Sequence, residues 1–186
     1  MDDERRRFAD ALADYRRRWP AETAVVHFEE FLVGHADAFE REFAVGHFTG
    51  SAWLVSAGGS RVLLTHHRKL GLWLQLGGHA DGDTDLMRVA LREAEEESGL
   101  DGLTVETEIF DLDRHRIPAR GADPEHWHYD VRYIVRAGAN EAFVVSDESH
   151  ALAWRTIADV ARDEMADASV RRMAGKWLER VTGQTR

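Results

Sequence analysis

The stretch from Gly77 to Leu100 constrains the chain more than any other. It reads Gly-Gly-His-Ala-Asp-Gly-Asp-Thr-Asp-Leu-Met-Arg-Val-Ala-Leu-Arg-Glu-Ala-Glu-Glu-Glu-Ser-Gly-Leu, a strand-fed glycine turn that opens a helix ending in glutamates. At about 100° per residue, Leu86, Val89 and Ala90 share one helical face. Glu93 and Glu97 continue that stripe over the next two turns, Glu96 sits at its edge, and Glu95 points the opposite way. An apolar stripe therefore becomes anionic where it should still face the protein. Burying carboxylates is costly unless something positive meets them. A divalent cation is the simplest partner, and Mg²⁺ suits carboxylates combined with substrate phosphates. A solvated acidic face is the alternative for any run of this kind.

The same residues resemble the Nudix box: a Gly, five residues, a Glu, seven residues, then Arg-Glu-apolar-x-Glu-Glu-x-Gly-apolar. Gly78 supplies the first glycine, and Arg92, Glu93, Ala94, Glu96, Glu97, Gly99 and Leu100 supply the second half. Thr84 stands where the family has its first Glu, and Leu76 where a proline often precedes the paired glycines. The resemblance implies an α/β fold, a mixed β-sheet sandwiched between helices, over residues 47–182 with the box at 78–100. It also implies hydrolysis of a phosphoanhydride in a nucleoside diphosphate linked to another moiety. Mg²⁺, with Mn²⁺ as its substitute, would be held by Glu93, Glu96, Glu97 and the Gly78 carbonyl. Arg92 would orient a glutamate by a charge-assisted hydrogen bond. The general base would be Glu96 or a glutamate of a later loop, for which Glu148 is the candidate. A non-catalytic Nudix-fold nucleotide-binding module is the rival reading, favoured by Thr84. Prenyl diphosphate isomerases share the general fold, but this chain has no cysteine to serve as their nucleophile.

Absence of cysteine also removes disulfides and thiolate zinc sites. The net charge of −10 opposes non-specific binding to nucleic acid or anionic membranes. No run approaches the ~18 apolar residues of a membrane span, and the acidic N-terminus lacks a signal peptide's apolar core. A cytoplasmic enzyme with a small-molecule diphosphate substrate is the expectation.

Residues 1–46 read as an N-terminal helical extension. Phe8, Leu12, Tyr15 and Trp19 are spaced for one helix, Trp19-Pro20 breaks it, and a second helix covers 22–33. The extension packs on the core or builds a homodimer interface. Its arginine triplets, at 5–7 and 16–18, are flanked by acids and read as solvated faces rather than an RNA site. Strands follow at 51–57 and 61–66 around Gly58-Gly59, then at 73–76, 103–110 and 143–145. Residues 113–125 read as an irregular substrate loop carrying Arg114, His115, Arg116 and Arg120. In the strand 126–136, Trp127, Tyr129, Val131, Tyr133 and Val135 alternate with His126, His128, Asp130 and Arg132. That polar face is either solvated or lines a cleft. His79, Asp81, Arg68, His126 and His128 are the candidate substrate-binding residues. Asp83 and Thr84 are expected to cap the box helix.

Overall fold

The computed structural model describes residues 2–67, 71–121, 124–144 and 149–183. In chain order the elements are α1 (Asp3–Arg18), α2 (Val25–Gly34), β1 (Gly46–Val55), β2 (Arg61–His67), β3 (Trp73–Leu74), β4 (Leu76–His79) and α3 (Leu86–Ser98). They continue with β5 (Thr104–Ile117), β6 (His126–Arg136), β7 (Ser149–Thr156), α4 (Ile157–Arg162) and α5 (Ala168–Gly183). Seven strands form one sheet in the order β3-β2-β1-β6-β5, with β4 also on β1 and β7 also on β2. β2 is antiparallel to β1, β3 and β7. The β1–β6 pair runs parallel: Trp127 N–H meets the Val45 carbonyl at 3.2 Å, and Ala137 N–H meets that of Val55 at 2.9 Å. The sheet is therefore mixed, and the fold is α/β, as expected.

Contacts divide the chain into two compact units. The first holds Met1–Ser51, Gly77–Ala90 and Glu106–Tyr133. Here α1 and α2 close one face of the strands with aromatic rings. Phe8 and Phe31 meet Phe48 edge-on at 5.1 and 5.4 Å, and Phe31 stacks on Tyr129 at 4.0 Å. Such pairs add about 0.5–1.5 kcal/mol each beyond the area they bury. Arg5 is not a solvated arginine. Its guanidinium donates to the carbonyls of Leu32, His35 and Ala36 at 2.6–2.7 Å, closing the C-terminal end of α2.

The second unit holds Ala52–Leu76, Leu91–Val105 and Ile134–Arg186. Ala52, Leu54, Leu63, Leu76, Ala94 and Leu100 belong to its core. The β1–β2 turn closes with Gly59 at φ +69°, its carbonyl accepting Trp177 Nε1–H from α5 at 2.8 Å. The expected strand at 143–145 is absent for its described part. Phe143 and Val144 run without ladder structure, and Val144 N–H bonds the Ser98 carbonyl at 2.8 Å. The expected loop at 113–125 begins as strand, because β5 extends to Ile117, and its residues 122 and 123 lie outside the described residues.

Candidate active site

The glycine turn is dictated by close packing. A Cβ on Gly77 would lie 2.8 Å from Ser51 Cα, so any larger residue would push β4 off β1. Asp81 and Gly82 then take positive φ, +49° and +84°, reversing the chain toward α3. Asp85, not Thr84, caps α3. Its carboxylate accepts Arg88 N–H at 3.1 Å and its carbonyl accepts Val89 N–H at 3.0 Å. Asp83 braces the turn by accepting Asp85 N–H and binding the Arg88 guanidinium. Thr84 instead donates its hydroxyl to Glu4 Oε2 at 2.7 Å, tying the turn to α1.

Along α3, Leu86, Val89, Ala90 and Ala94 are buried, Glu93 and Glu97 are half-buried, and Glu95 and Glu96 are exposed. Arg92 Nη2 donates to Glu93 Oε1 at 2.9 Å, and the Glu93 side chain is only 18% exposed. This charge-assisted bond fixes the Glu93 rotamer and partly neutralises it. Gly99, at φ +64°, stops the helix, its N–H bonding the Glu95 carbonyl at 2.8 Å.

The face of β1, β5 and β6 opposite the aromatic rings is polar. Arg132 and Asp130 are buried rather than solvated, at 2% exposure each. Arg132 Nε donates to Asp130 Oδ2 at 2.7 Å, and Nη1 donates to Asp111 Oδ2 at 3.2 Å. Asp130 Oδ1 accepts the hydroxyls of Thr49 and Ser51 at 2.9 and 2.7 Å. Burial by itself would lower the Arg132 pKa, but the carboxylates of Asp130, Asp111 and Asp113 outweigh it and raise it.

Histidines occupy the rest of this face. His47 Nε2 lies 3.1 Å from His128 Nε2, and His126 Nε2 lies 3.3 Å from the same atom. The ring of His79 is 5.1 Å from that of His47 and 5.2 Å from that of His128. Burial, then the neighbouring imidazoles, push the pKa of His47 down to about 4 and that of His128 down to about 2. Both rings are neutral at pH 7. Among the described residues, one set brings three ligating atoms within 4.8 Å of one another: His47, His126 and His128.

The candidate residues thus fall into groups. His79, His126 and His128 gather on the polar face, Arg92 pairs with Glu93, and Asp81 is an exposed turn residue. Gly78 lies half-buried in β4. Arg68 and Glu148 lie outside the described residues. His47, Asp111 and Asp113 went unrecognised in the sequence. The alternation of His47, Thr49 and Ser51 with Phe48 was the available signal, hidden by starting the strand at residue 51. Asp113 and His115 were hidden by reading 113–125 as a loop. Arg114 stacks on the Trp127 ring at 3.9 Å, and His115 Nδ1 is 3.1 Å from Asp113 Oδ2.

The NUDIX domain family model matches residues 47–175. A search among characterised protein sequences finds no match. Among solved structures, a C. elegans Ap4A hydrolase aligns at TM-score 0.58 and 17% identity, covering 73% of this chain and 98% of its own. RenU, a Nudix hydrolase from M. smegmatis, aligns at TM-score 0.51 and 25% identity, covering 75% and 88%. The NUDIX domain of Shewanella oneidensis NrtR, complexed with ADP ribose, aligns at 0.50 and 22%, covering 82% and 97%.

Proposed function

Starting from the fact that this chain belongs to the Nudix hydrolases, we propose that it cleaves the phosphoanhydride of a nucleoside diphosphate linked to a second moiety, with Mg²⁺ as cofactor. The observation that carries this reading is the placement of the box glutamates. Glu93 and Glu97 are held half-buried on the continuation of an apolar stripe, and Arg92 clamps Glu93. A merely solvated acidic face would leave all four glutamates exposed. The donor set is all carboxylate with the Gly78 carbonyl nearby in sequence, which fits a hard divalent cation.

Glu93, Glu96 and Glu97 are assigned to hold the metal, with Gly78 offering its carbonyl. When bound, the ion supplies charge neutralisation for the diphosphate and acidifies a coordinated water. Arg92 is a positioning residue that holds the Glu93 carboxylate in one rotamer. Glu148 is the assigned general base, with Glu96, exposed on the helix, as the alternative. His79, Asp81 and Arg68 are assigned to the substrate, as are His126 and His128, whose shared face meets it directly or through an ion they hold. The partners that relatives bind, a dinucleoside polyphosphate or ADP ribose by their descriptions, suggest where to begin.

The deciding experiment assays purified chain against a panel of dinucleoside polyphosphates, ADP ribose and nucleoside diphosphate sugars, with Mg²⁺ or Mn²⁺. Metal-dependent release of a phosphomonoester product from at least one member is expected, and its loss in Glu93→Gln. Metal-independent binding without turnover of any member would instead favour a nucleotide-binding module, the reading that Thr84 in place of the first box glutamate supports.

A further inference from the structure

We propose that His47, His126 and His128 bind a borderline divalent transition ion, with Zn²⁺ as the reference, in a ligand set that includes none of the box carboxylates and leaves one coordination position open. The three come from the adjacent strands β1 and β6. Residues 126 and 128 share a strand face by alternation, and His47 faces them across the β1–β6 pair. His47 is buried at 2% exposure, and the other two are half-buried. The ring cluster therefore has a closed floor and an accessible rim.

The distances suit an ion as well as a hydrogen bond, and the three ligating atoms lie within 4.8 Å of one another. Imidazole nitrogens about 2.0–2.1 Å from a tetrahedral Zn²⁺ lie about 3.3 Å from one another. The observed Nε2 separations are 3.1 Å for His47 and His128 and 3.3 Å for His126 and His128. Proton counting favours the ion. His126 Nδ1 lies 2.9 Å from the Pro124 carbonyl, which can only accept. The Nδ1 of His126 therefore carries a proton, which leaves Nε2 as the ring nitrogen whose lone pair turns toward His128. The Nε2 of His128 has either one proton or one lone pair, yet it faces two other nitrogens. It can make only one good hydrogen bond, whereas a cation accepts all three lone pairs together.

The surroundings are those of a supported site. The Pro124 carbonyl orients His126 as outer-shell acceptors orient metal-bound histidines. His79 and His115, with ring centroids 5.2 and 5.5 Å from that of His128, border the cluster. Three imidazoles select Zn²⁺, Fe²⁺, Ni²⁺ or Cu²⁺ rather than Mg²⁺. Three protein ligands leave a fourth position for water or an anionic oxygen.

The test uses the full chain carrying Glu93→Gln, Glu96→Gln and Glu97→Gln, so that box carboxylates do not compete. Zn²⁺ is titrated against a chromophoric chelator. One tightly bound ion per chain is expected, and His126→Ala or His128→Gln should each weaken it by about 100-fold or more, beyond the effect of losing an outer-shell partner. In the unsubstituted chain, Co²⁺ should give the intense visible bands of a four-coordinate nitrogen-rich site, lost in His126→Ala. No tight Zn²⁺ in the parent, or an affinity and Co²⁺ spectrum that either histidine substitution leaves unchanged, overturns the site. Because binding is read without the box carboxylates, this result and the hydrolase assay fail independently.

Discussion

Arg132 and Asp130 form a buried ion pair across two positions of one strand, the guanidinium Nε 2.7 Å from the carboxylate Oδ2. Asp111 and Asp113 lie within ion-pair distance of the same guanidinium. One cation thus serves three carboxylates, two of them buried. Removing it leaves Asp130 and Asp111 buried without their cation, which typically costs about 3–5 kcal/mol. Arg132→Leu should show that loss in urea denaturation. An Arg132→Leu, Asp130→Leu double variant should recover part of it, because the uncompensated charge is removed with its partner.

Arg92 acts on its neighbour Glu93. Arg92→Lys keeps the charge but loses the fixed geometry of the guanidinium. Metal affinity and turnover are expected to fall by about 10–100-fold, as for other outer-shell partners. The melting temperature should barely move, because Arg92 is 36% exposed at its side chain. Isothermal titration with Mn²⁺ alongside steady-state kinetics separates this outcome from a folding defect.

Thr84 gives a cleaner test of how the turn departs from the box pattern. Its hydroxyl is bonded to Glu4, so Thr84→Val should cost about 0.5–1.5 kcal/mol of stability, the net worth of one hydrogen bond. With the side chain tied to α1, kcat should not change. A large fall in kcat at unchanged stability would mean that the hydroxyl substitutes for the missing glutamate.

Periodicity made the box helix legible because it is local: the buried Leu86, Val89, Ala90 and Ala94 and the half-buried Glu93 and Glu97 follow a 3.6-residue repeat. The strand 126–136 was equally plain from alternation. What alternation cannot reveal is which strands become neighbours. His47 meets His128 only because β1 pairs with β6, a connection spanning 81 residues. Likewise, nothing local tells a solvated Asp130 from one bonded to Thr49 and Ser51. The cap was misplaced for a related reason. Asp83, Thr84 and Asp85 are all competent N-caps, and only the positive-φ turn at Asp81-Gly82 selects the third.

In chelator-treated, metal-free protein, His47 and His128 should make the fold acid-sensitive. Their folded pKa values, about 4 and about 2, lie below the ordinary value of 6.5. The unfolded chain therefore binds more protons as the pH drops below 6.5, and stability falls from there toward pH 4. Above 6.5 their contribution is complete. Denaturant midpoints at pH 7.5 and 5.0 should differ for the unsubstituted chain and differ less for His47→Gln. An equal difference in the two proteins would mean that the His47 ring does not resist protonation.

Gly77 and Gly175 predict opposite signs for one substitution. At Gly77 a methyl would meet Ser51 Cα at 2.8 Å, and a backbone atom cannot swing aside. Gly77→Ala must separate β4 from β1, at the typical overpacking cost of about 1–3 kcal/mol. Because the glycine turn follows directly, turnover should fall as well. At Gly175, inside α5, a new Cβ meets nothing within 4 Å. There the methyl only restricts the unfolded chain and improves helix propensity, so Gly175→Ala should stabilise by about 0.5–1 kcal/mol. Paired thermal melts read both. A neutral Gly77→Ala would mean that β4 is not held against Ser51 in solution, and the turn geometry would have to be redrawn.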